Sequence, residues 1–377
     1  MSVQALPQLG RRKLLLFIGS VAVFGVLPFF AVLAILGDLV AGGGGWTFRL
    51  AFVRAAESIL DGETPYQSLN DPTLIDGSAY VYSPLIALVT LPFTVLPGDS
   101  GAIVFAGILI AAVVGTLWAV GVRDWRCYGI AFLWPPVLSG VHGTNVSILL
   151  GFAAALVWRF RDRPAASGVA LGVSIAAKQL LWPLGLWMIL TSRLRAALWT
   201  TGVALAVALG SWAVIGFDGL VDYPPRLREL SERMDEWGYS VYAVALDLGT
   251  GHSVARLIWL GTALAVVVAA VIVARRGDER RGFILAMAAV IACTPIVWLH
   301  YFSLLLVVVA LAAPRLSPVW LVPLAMWGAE EVANGTTFQT ALAVGAAALT
   351  FALALKPLPP HWRLARAPKQ APAAGSP

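Results

Sequence analysis

Charged residues are scarce in this chain. Asp, Glu, Lys and Arg make up 12% of its 377 residues, whereas 59% are hydrophobic. A soluble domain carries about 25% charged residues, so the composition excludes an ordinary water-soluble protein. The net charge of +6 does not indicate nucleic-acid binding, because the basic residues fall in short segments between apolar runs. We therefore predict an all-α polytopic membrane protein. We expect it to contact membrane lipid and to bind no nucleic acid.

Cysteine and histidine are also rare, with two and four copies. Cys127 and Cys293 lie in apolar sequence without metal-ligand spacing, so we interpret them as packing residues. The chain lacks a Walker loop, a dinucleotide fingerprint after a strand and a nucleophile elbow. No cofactor and no metal site is predicted. The glycine run 42–45 has no phosphate-binding strand and helix around it, and we interpret it as a flexible linker.

Apolar runs alternate with short polar segments along almost the whole chain. A crossing needs roughly 20 apolar residues, and about twelve transmembrane or re-entrant helices fit the pattern. We predict a cytoplasmic N-terminus at 1–13, one transmembrane domain at 14–355 and a disordered cytoplasmic tail at 356–377. The domain lies in the cell membrane.

Two long polar segments, 38–81 and 217–252, are predicted to lie outside the cytoplasm. Each contains an amphipathic helix suited to the membrane interface. In the second, Arg226 falls on the charged face, and the helix rests on lipid headgroups or forms a lid over a site.

The segment between residues 82 and 141 is predicted to cross and return. Segments 82–97 and 101–121 read as a hairpin, which places the basic segment 123–126 on the outer side. The stretch 127–141 is interrupted by Pro135 and Pro136, and we predict a broken helix that enters and leaves on the outer side. Irregular backbone at membrane depth is tolerated only inside protein or beside a cavity.

Ionisable and polar residues inside apolar segments suggest function. Lys178 lies in such a segment shortly before Pro183, where a helix break would line a cavity; a snorkelling lysine is the alternative. His300 is a second candidate for function, and the alternative is a core histidine whose hydrogen bonds are satisfied. His142 and Asn145 lie at the end of the broken segment.

Several short motifs follow one another along the chain. The first outer segment contains Ala55, Ala56, Leu60, Gly62, Pro65 and Tyr66, and Tyr80, Tyr82 and Pro84 follow it. Next come Gly143 with Asn145, Lys178 with Pro183, and the string from Thr294 to Tyr301, which contains His300. The order of these motifs resembles glycosyltransferase family 87, a family of membrane enzymes with the GT-C fold. The resemblance covers residues 14 to about 313 and places His300 in the family's histidine position.

The resemblance implies transfer of a sugar, mannose in several family members, from a polyprenyl-phosphate donor to a lipid-linked glycan on the outer face. Lys178 and His300 would bind the donor phosphate. Tyr66, Tyr82 and Asn145 would contact the sugar or the acceptor.

One position departs from the family pattern. The Asp that serves as general base is Thr47 here, and threonine cannot act as a base near neutral pH. The resemblance leaves Asp38, Asp61 or Glu63 as the base, with Asp38 favoured because it lies upstream, on the same side as the missing Asp. A secondary transporter or flippase, and a catalytically impaired paralogue that acts as a binding or assembly partner, remain open as alternatives.

Overall fold

The structure, a computed structural model, describes residues 5–68, 79–233, 238–329 and 336–356. The predicted tail, from residue 357 onward, lies outside these ranges. Within them the chain is helical and has no strand, which confirms the predicted all-α class. The α-helices of these ranges are α1 (Ala5–Val21), α2 (Leu27–Val40), α3 (Arg54–Leu60), α4 (Pro84–Thr90), α5 (Ser100–Val120), α6 (Trp125–Ala131), α7 (Pro135–His142), α8 (Ser147–Arg159), α9 (Pro164–Ala177), α10 (Trp182–Leu190), α11 (Leu194–Val214), α12 (Tyr223–Arg233), α13 (Val241–Asp247), α14 (His252–Arg275), α15 (Glu279–Ala292), α16 (Leu305–Ala312) and α17 (Thr337–Ala354).

Shorter helical segments join or extend these helices. Two π-helical stretches occur, one between α1 and α2 and one before α3. Four 3₁₀ segments lie at breaks in apolar runs. The six are Ala22–Val26, Thr47–Val53, Leu91–Phe93, Gln179–Leu181, Leu299–Leu304 and Pro318–Gly328.

Five helices in the described ranges are long and apolar enough to cross a bilayer. They are Gly10–Val40, Ser100–Val120, Leu194–Val214, His252–Arg275 and Thr337–Ala354. A sixth span results if α7 and α8, which meet at 119°, are counted together. These spans confirm a polytopic membrane protein.

Contacts at the two ends of α5 define two faces of the molecule. Just before α5 begins, Asp99 pairs with Arg49 at 2.9 Å. Near its end, the carbonyl of Ala119 accepts a hydrogen bond from Arg159 at 3.3 Å. We call the first face, with Arg49 and Asp99, the outer face, and the second the basic face.

Basic residues from distant parts of the chain collect on the basic face. Arg193 donates to the carbonyl of Arg161 at 3.0 Å and to Glu279 at 2.9 Å. Arg280 donates to the carbonyl of Ala354 at 3.1 Å. Because short basic segments tend to stay in the cytoplasm, the basic face is predicted to be the cytoplasmic one.

This arrangement corrects the predicted hairpin at 82–121. The segment Pro84–Phe93 belongs to the shorter apolar helices. Both of its ends lie beside the helical segment that carries Arg49, since Tyr82 meets the Phe52 ring at 4.9 Å and Phe93 meets the Phe48 ring at 5.4 Å. At about 1.5 Å per residue it reaches only about half of a hydrocarbon core of about 30 Å. It therefore does not cross, and α5 runs from the outer face to the basic face.

The segment that follows α5 is corrected as well. Asp124 accepts a hydrogen bond from the amide of Leu316 at 3.1 Å, and it caps α6 through the amide of Arg126. The Arg126 side chain lowers the pKa of Asp124 to about 2. Residues 123–126 thus lie on the basic face and not on the outer side, which agrees with the positive-inside rule for a short basic segment. Helices α6 and α7 then lead across to the outer face, so 127–141 does not return to its starting side.

Two glycines bring α9 and α11 into close contact. A Cβ atom at Gly168 would lie 2.7 Å from the carbonyl oxygen of Ala196, and one at Gly172 would lie 2.8 Å from that of Thr200. Small residues four positions apart allow membrane helices to approach in this way.

Cysteine labelling tests the assignment of faces. After replacement of Cys127 and Cys293, a cysteine at Asp61 should react with an impermeant reagent added from outside. Cysteines at Arg126 and Arg276 should react only after the membrane is opened, because both positions belong to the basic face. Reaction at position 126 from outside would contradict the direction of α5.

Substitution of Gly168 tests the packing of α9 on α11. Gly168→Val should destabilise the protein in detergent by about 1–3 kcal/mol, because the added atoms meet backbone that has no room to move. Thermal unfolding measures the loss. Gly202→Val is the control, since a Cβ there meets nothing within 4 Å; equal effects of the two changes would contradict the packing argument.

Candidate active site

Lys178 lies at a break between two short helices. Helix α9 ends at Ala177, and Lys178 has an extended backbone with φ −154° and ψ 120°. Its ammonium lies 5.1 Å from the centre of the Tyr82 ring and 4.2 Å from that of the Tyr301 ring. No carboxylate or hydrogen-bond acceptor in the described part of the chain pairs with it. Aromatic faces attract a cation and leave its charge available to an anion.

His300 lies beside this ammonium, on the 3₁₀ segment Leu299–Leu304. Its ring meets that of Tyr301 edge-on, with the centroids 5.1 Å apart. The Nε2 atom of His300 and the hydroxyl of Ser303 are buried, and neither has a hydrogen-bond partner among the residues that the structure describes. Buried polar atoms without partners are rare in native proteins, so both atoms are free to bind a ligand.

Asn145 fixes the Tyr82 ring from the other side. Its Nδ2 donates to the Tyr82 hydroxyl at 3.2 Å, and its Oδ1 accepts from the amide and hydroxyl of Ser147 at 3.0 and 2.8 Å. The structure thus brings Tyr82, Asn145, Lys178 and His300 together, although they are far apart in sequence. We call these four residues with Tyr301 the cationic centre; the role of each stays a prediction.

Tyr66 adjoins this centre but is covered by protein. It is 5% exposed, stacks on Trp212 at 5.3 Å and donates its hydroxyl to the carbonyl of Tyr82 at 2.9 Å. Burial raises its pKa above the ordinary value. These contacts give Tyr66 a packing role, while its contact with a sugar stays a prediction.

Helix α12 packs on the first outer segment through Tyr223 and Arg226. Arg226 is 3% exposed, lies 5.0 Å from the centre of the Tyr66 ring and donates to the carbonyl of Gln67. Burial lowers its pKa, and burial raises the pKa of Tyr223 to about 12. The prediction that Arg226 lies on a solvated face is therefore wrong, because the guanidinium finds an aromatic ring and a carbonyl inside the protein.

A second group of polar residues lies where α2 ends. The Asp38 Oδ2 atom is 2.7 Å from Nε2 of His142, and the two side chains are 50% and 28% exposed. The Trp46 ring meets the His142 ring edge-on at 5.0 Å. Asp38 and His142, which we call the acid–histidine pair, therefore remain accessible from the outer face.

The glycine run 42–45 beside this pair is an ordered turn, so the prediction of a flexible linker is wrong. Three of its four glycines have positive φ, between 55° and 85°, which favours glycine. Arg49 donates to the carbonyls of residues 42, 43 and 44 and of Leu39, at 2.7 to 3.2 Å. One guanidinium thus satisfies four carbonyls, and this fixes the turn.

The end of α7 connects the acid–histidine pair with the cationic centre. The carbonyl of His142 accepts from the amide of Gly45 at 2.6 Å, and that of Gly143 from Thr47 at 3.2 Å. One turn earlier, a Cβ atom at Gly140 would lie 3.6 Å from the Cβ of His300. The free carbonyls of this helix end are thus satisfied by amides of the segment that follows Asp38 and the end of α2.

The other predicted loop residues lie differently. Thr47 donates its amide to the carbonyl of Gly143, the residue that follows His142, the partner of Asp38. Asp61 and Glu63 are exposed after α3, and the side chain of neither binds another described residue. Of the three candidate carboxylates, only Asp38 has a partner among the described residues.

A comparison with protein-family models identifies the chain. The model of glycosyltransferase family 87 matches residues 80–299, which is more than half of the sequence. The chain belongs to this family. It is therefore a membrane glycosyltransferase, and the transporter and flippase alternatives are set aside. Searches of curated proteins and of solved structures found no match.

The family 87 match contains most of the cationic centre, including Tyr82, Asn145 and Lys178, and it ends one residue before His300. Asp38 precedes it. Sequence reasoning missed Tyr301 as a contact of Lys178 and missed Arg49 altogether. Tyr301 could have been found from the sequence, because it belongs to the 294–301 string that contains His300. The role of Arg49 depends on carbonyls that converge only in the folded turn.

Substitution of Arg49 tests whether it holds the glycine turn of this family 87 protein. Arg49→Met should lower the free energy of unfolding by about 1–3 kcal/mol, because four carbonyls, most of them partly buried, lose their donor. Arg49→Lys should restore part of this. Arg54→Met is the control, since Arg54 is exposed one turn further along; thermal unfolding that is equal for both Met variants would contradict the role of Arg49.

Proposed function

We propose that this protein transfers mannose from a polyprenyl-phosphate donor to a hydroxyl of a lipid-linked glycan on the extracytoplasmic side of the cell membrane, within a GT-C-like fold. The observation that carries the proposal is the ammonium of Lys178. It lies at a helix break between two aromatic rings, with the unpaired Nε2 of His300 beside it. A cation in apolar surroundings needs an anion as its partner, and the phosphate of a lipid donor supplies one in this proposal.

In this reaction the acceptor oxygen forms a bond to C1 of the sugar. The bond between C1 and the phosphate oxygen breaks, and its electron pair leaves with the phosphate. Lys178 and His300 stabilise the negative charge that develops there, since preorganised charges and donors are most effective where charge appears. Tyr82 and Asn145 line the approach to the sugar.

Asp38 takes the proton of the acceptor hydroxyl. It is half exposed on the outer face and has a fixed partner in His142, whereas Asp61 and Glu63 are solvated. Its position suits a base that replaces the Asp missing at position 47. The amide of Thr47 binds the carbonyl of Gly143, the residue next to the His142 partner of Asp38. Thr47 itself anchors the backbone and moves no proton.

Transfer of labelled sugar from a polyprenyl-phosphate donor, measured in membranes, tests this function. Asp38→Asn should slow transfer by about 10²–10⁴-fold, as expected for loss of a general base. Lys178→Ala should slow it by about 10²–10³-fold, the range found on removal of a charge-stabilising donor. Asp61→Asn, Glu63→Gln and Lys356→Ala are matched controls that should keep transfer near the wild-type rate.

Three results would contradict the proposal. Wild-type transfer in Lys178→Ala would leave its ammonium as a snorkelling side chain. Wild-type transfer in Asp38→Asn would place the base elsewhere. Donor binding by the unmodified protein without any transfer would make it a catalytically impaired member of the family.

A further inference from the structure

The carboxylate of Asp38 lies between α7 and the glycine turn. His142 on α7 approaches its Oδ2 atom at 2.7 Å. A Cβ atom at Gly43 would overlap both carboxylate oxygens, and one at Gly44 would lie 2.7 Å from Nε2 of His142. The glycine turn therefore closes around the pair with no side chain of its own, which fixes the carboxylate without covering it.

The chemistry of the pair defines which atom carries the proton. An ionised carboxylate can only accept hydrogen bonds, so the bond at 2.7 Å requires a proton on Nε2 of His142. Arg49, the nearest cation along this segment, is committed to backbone carbonyls and to Asp99. His142 is thus the side chain that orients Asp38, and Oδ1 is left for another donor.

We propose that His142 is a positioning residue for the sugar transfer: it donates Nε2–H to Oδ2 of Asp38 and holds Oδ1 toward the acceptor hydroxyl. This inference rests on the proposed function. The proton of the hydroxyl goes to Oδ1 as the oxygen attacks C1, and His142 keeps its own proton throughout. His142 touches neither the donor nor the acceptor and acts through Asp38.

The alternative is a purely structural histidine that packs on Trp46 and stabilises the end of α7. The two roles differ in which substitutes are tolerated. The amide nitrogen of a glutamine reaches roughly the position of the imidazole Nε2 atom, whereas asparagine is too short and leucine has no donor. A packing role tolerates leucine as well as glutamine, and a positioning role needs the donor.

The experiment compares His142→Gln, His142→Asn and His142→Leu in membranes, with kcat and donor KM measured for each. Leucine and asparagine should lower kcat by about 10- to 100-fold, the cost of misplacing a catalytic group by about 1 Å. Glutamine should restore kcat to within a few fold of wild type. The donor KM should stay unchanged, because the cationic centre is intact, and thermal unfolding confirms that each variant is folded.

A double substitution gives the second test. If His142 acts through Asp38, Asp38→Asn with His142→Leu should be no slower than Asp38→Asn alone, since groups that act as a unit are not additive. A further loss equal to that of His142→Leu alone would overturn the proposal, as would equal rates in the leucine and glutamine variants. If the unmodified protein shows no transfer, the proposed function and this inference both fail. If the unmodified protein transfers sugar and His142→Leu has the same kcat, only the inference fails.

Discussion

The hydrogen bonds of Arg49 to the carbonyls of the glycine turn are the interaction on which the outer end of the molecule depends. The turn follows directly on the first span, where the carbonyls at the end of α2 have no helical partners. One guanidinium supplies these partners and also pairs with Asp99 at the start of α5. It thereby ties the end of the first span to α5 and presents amides of the turn to the end of α7.

Both polar centres lie where a helix is broken. At 143–146 the chain turns by 119° between α7 and α8, and Thr144 takes a positive φ of 53°, which is uncommon for a residue other than glycine. Its hydroxyl accepts from the amide of Phe48 at 3.3 Å. At Lys178 the second break places a charge between aromatic rings. Broken helices thus supply the polar groups that an unbroken span would have to exclude.

Much of the fold could be predicted from apolar length alone. The predicted segment 101–121 corresponds closely to α5, and the apolar runs of α11 and α14 likewise form single long helices. Their directions were harder to predict, because Pro84–Phe93 is apolar enough to suggest a span and too short to form one. One segment wrongly counted as a span reverses the predicted direction of every segment after it. Here the prediction that 127–141 returns to its starting side was a second error, and it restored the correct direction from α8 onward.

The cationic centre was predictable because a lysine in an apolar run is costly and therefore conspicuous. The acid–histidine pair was only partly so. Asp38 and His142 are 104 residues apart, and nothing local in the sequence indicates that they meet. The order of the glycine run could not be predicted for a related reason. Glycines have no side chains from which contacts can be inferred, and the turn is fixed by hydrogen bonds from Arg49, which depend on the fold.

The first span has one further consequence. Only 6% of its most apolar stretch is buried against the described part of the protein, so most of this stretch is open to acyl chains. Gly129 provides a close contact, since a side chain there would overlap the carbonyl of Phe24. A helix so weakly held adjusts its tilt to the thickness of the bilayer, at a cost of fractions of a kcal/mol per Å of mismatch. Asp38 lies at the outer end of this span. The depth of its carboxylate relative to the membrane surface therefore depends on the length of the surrounding lipid chains.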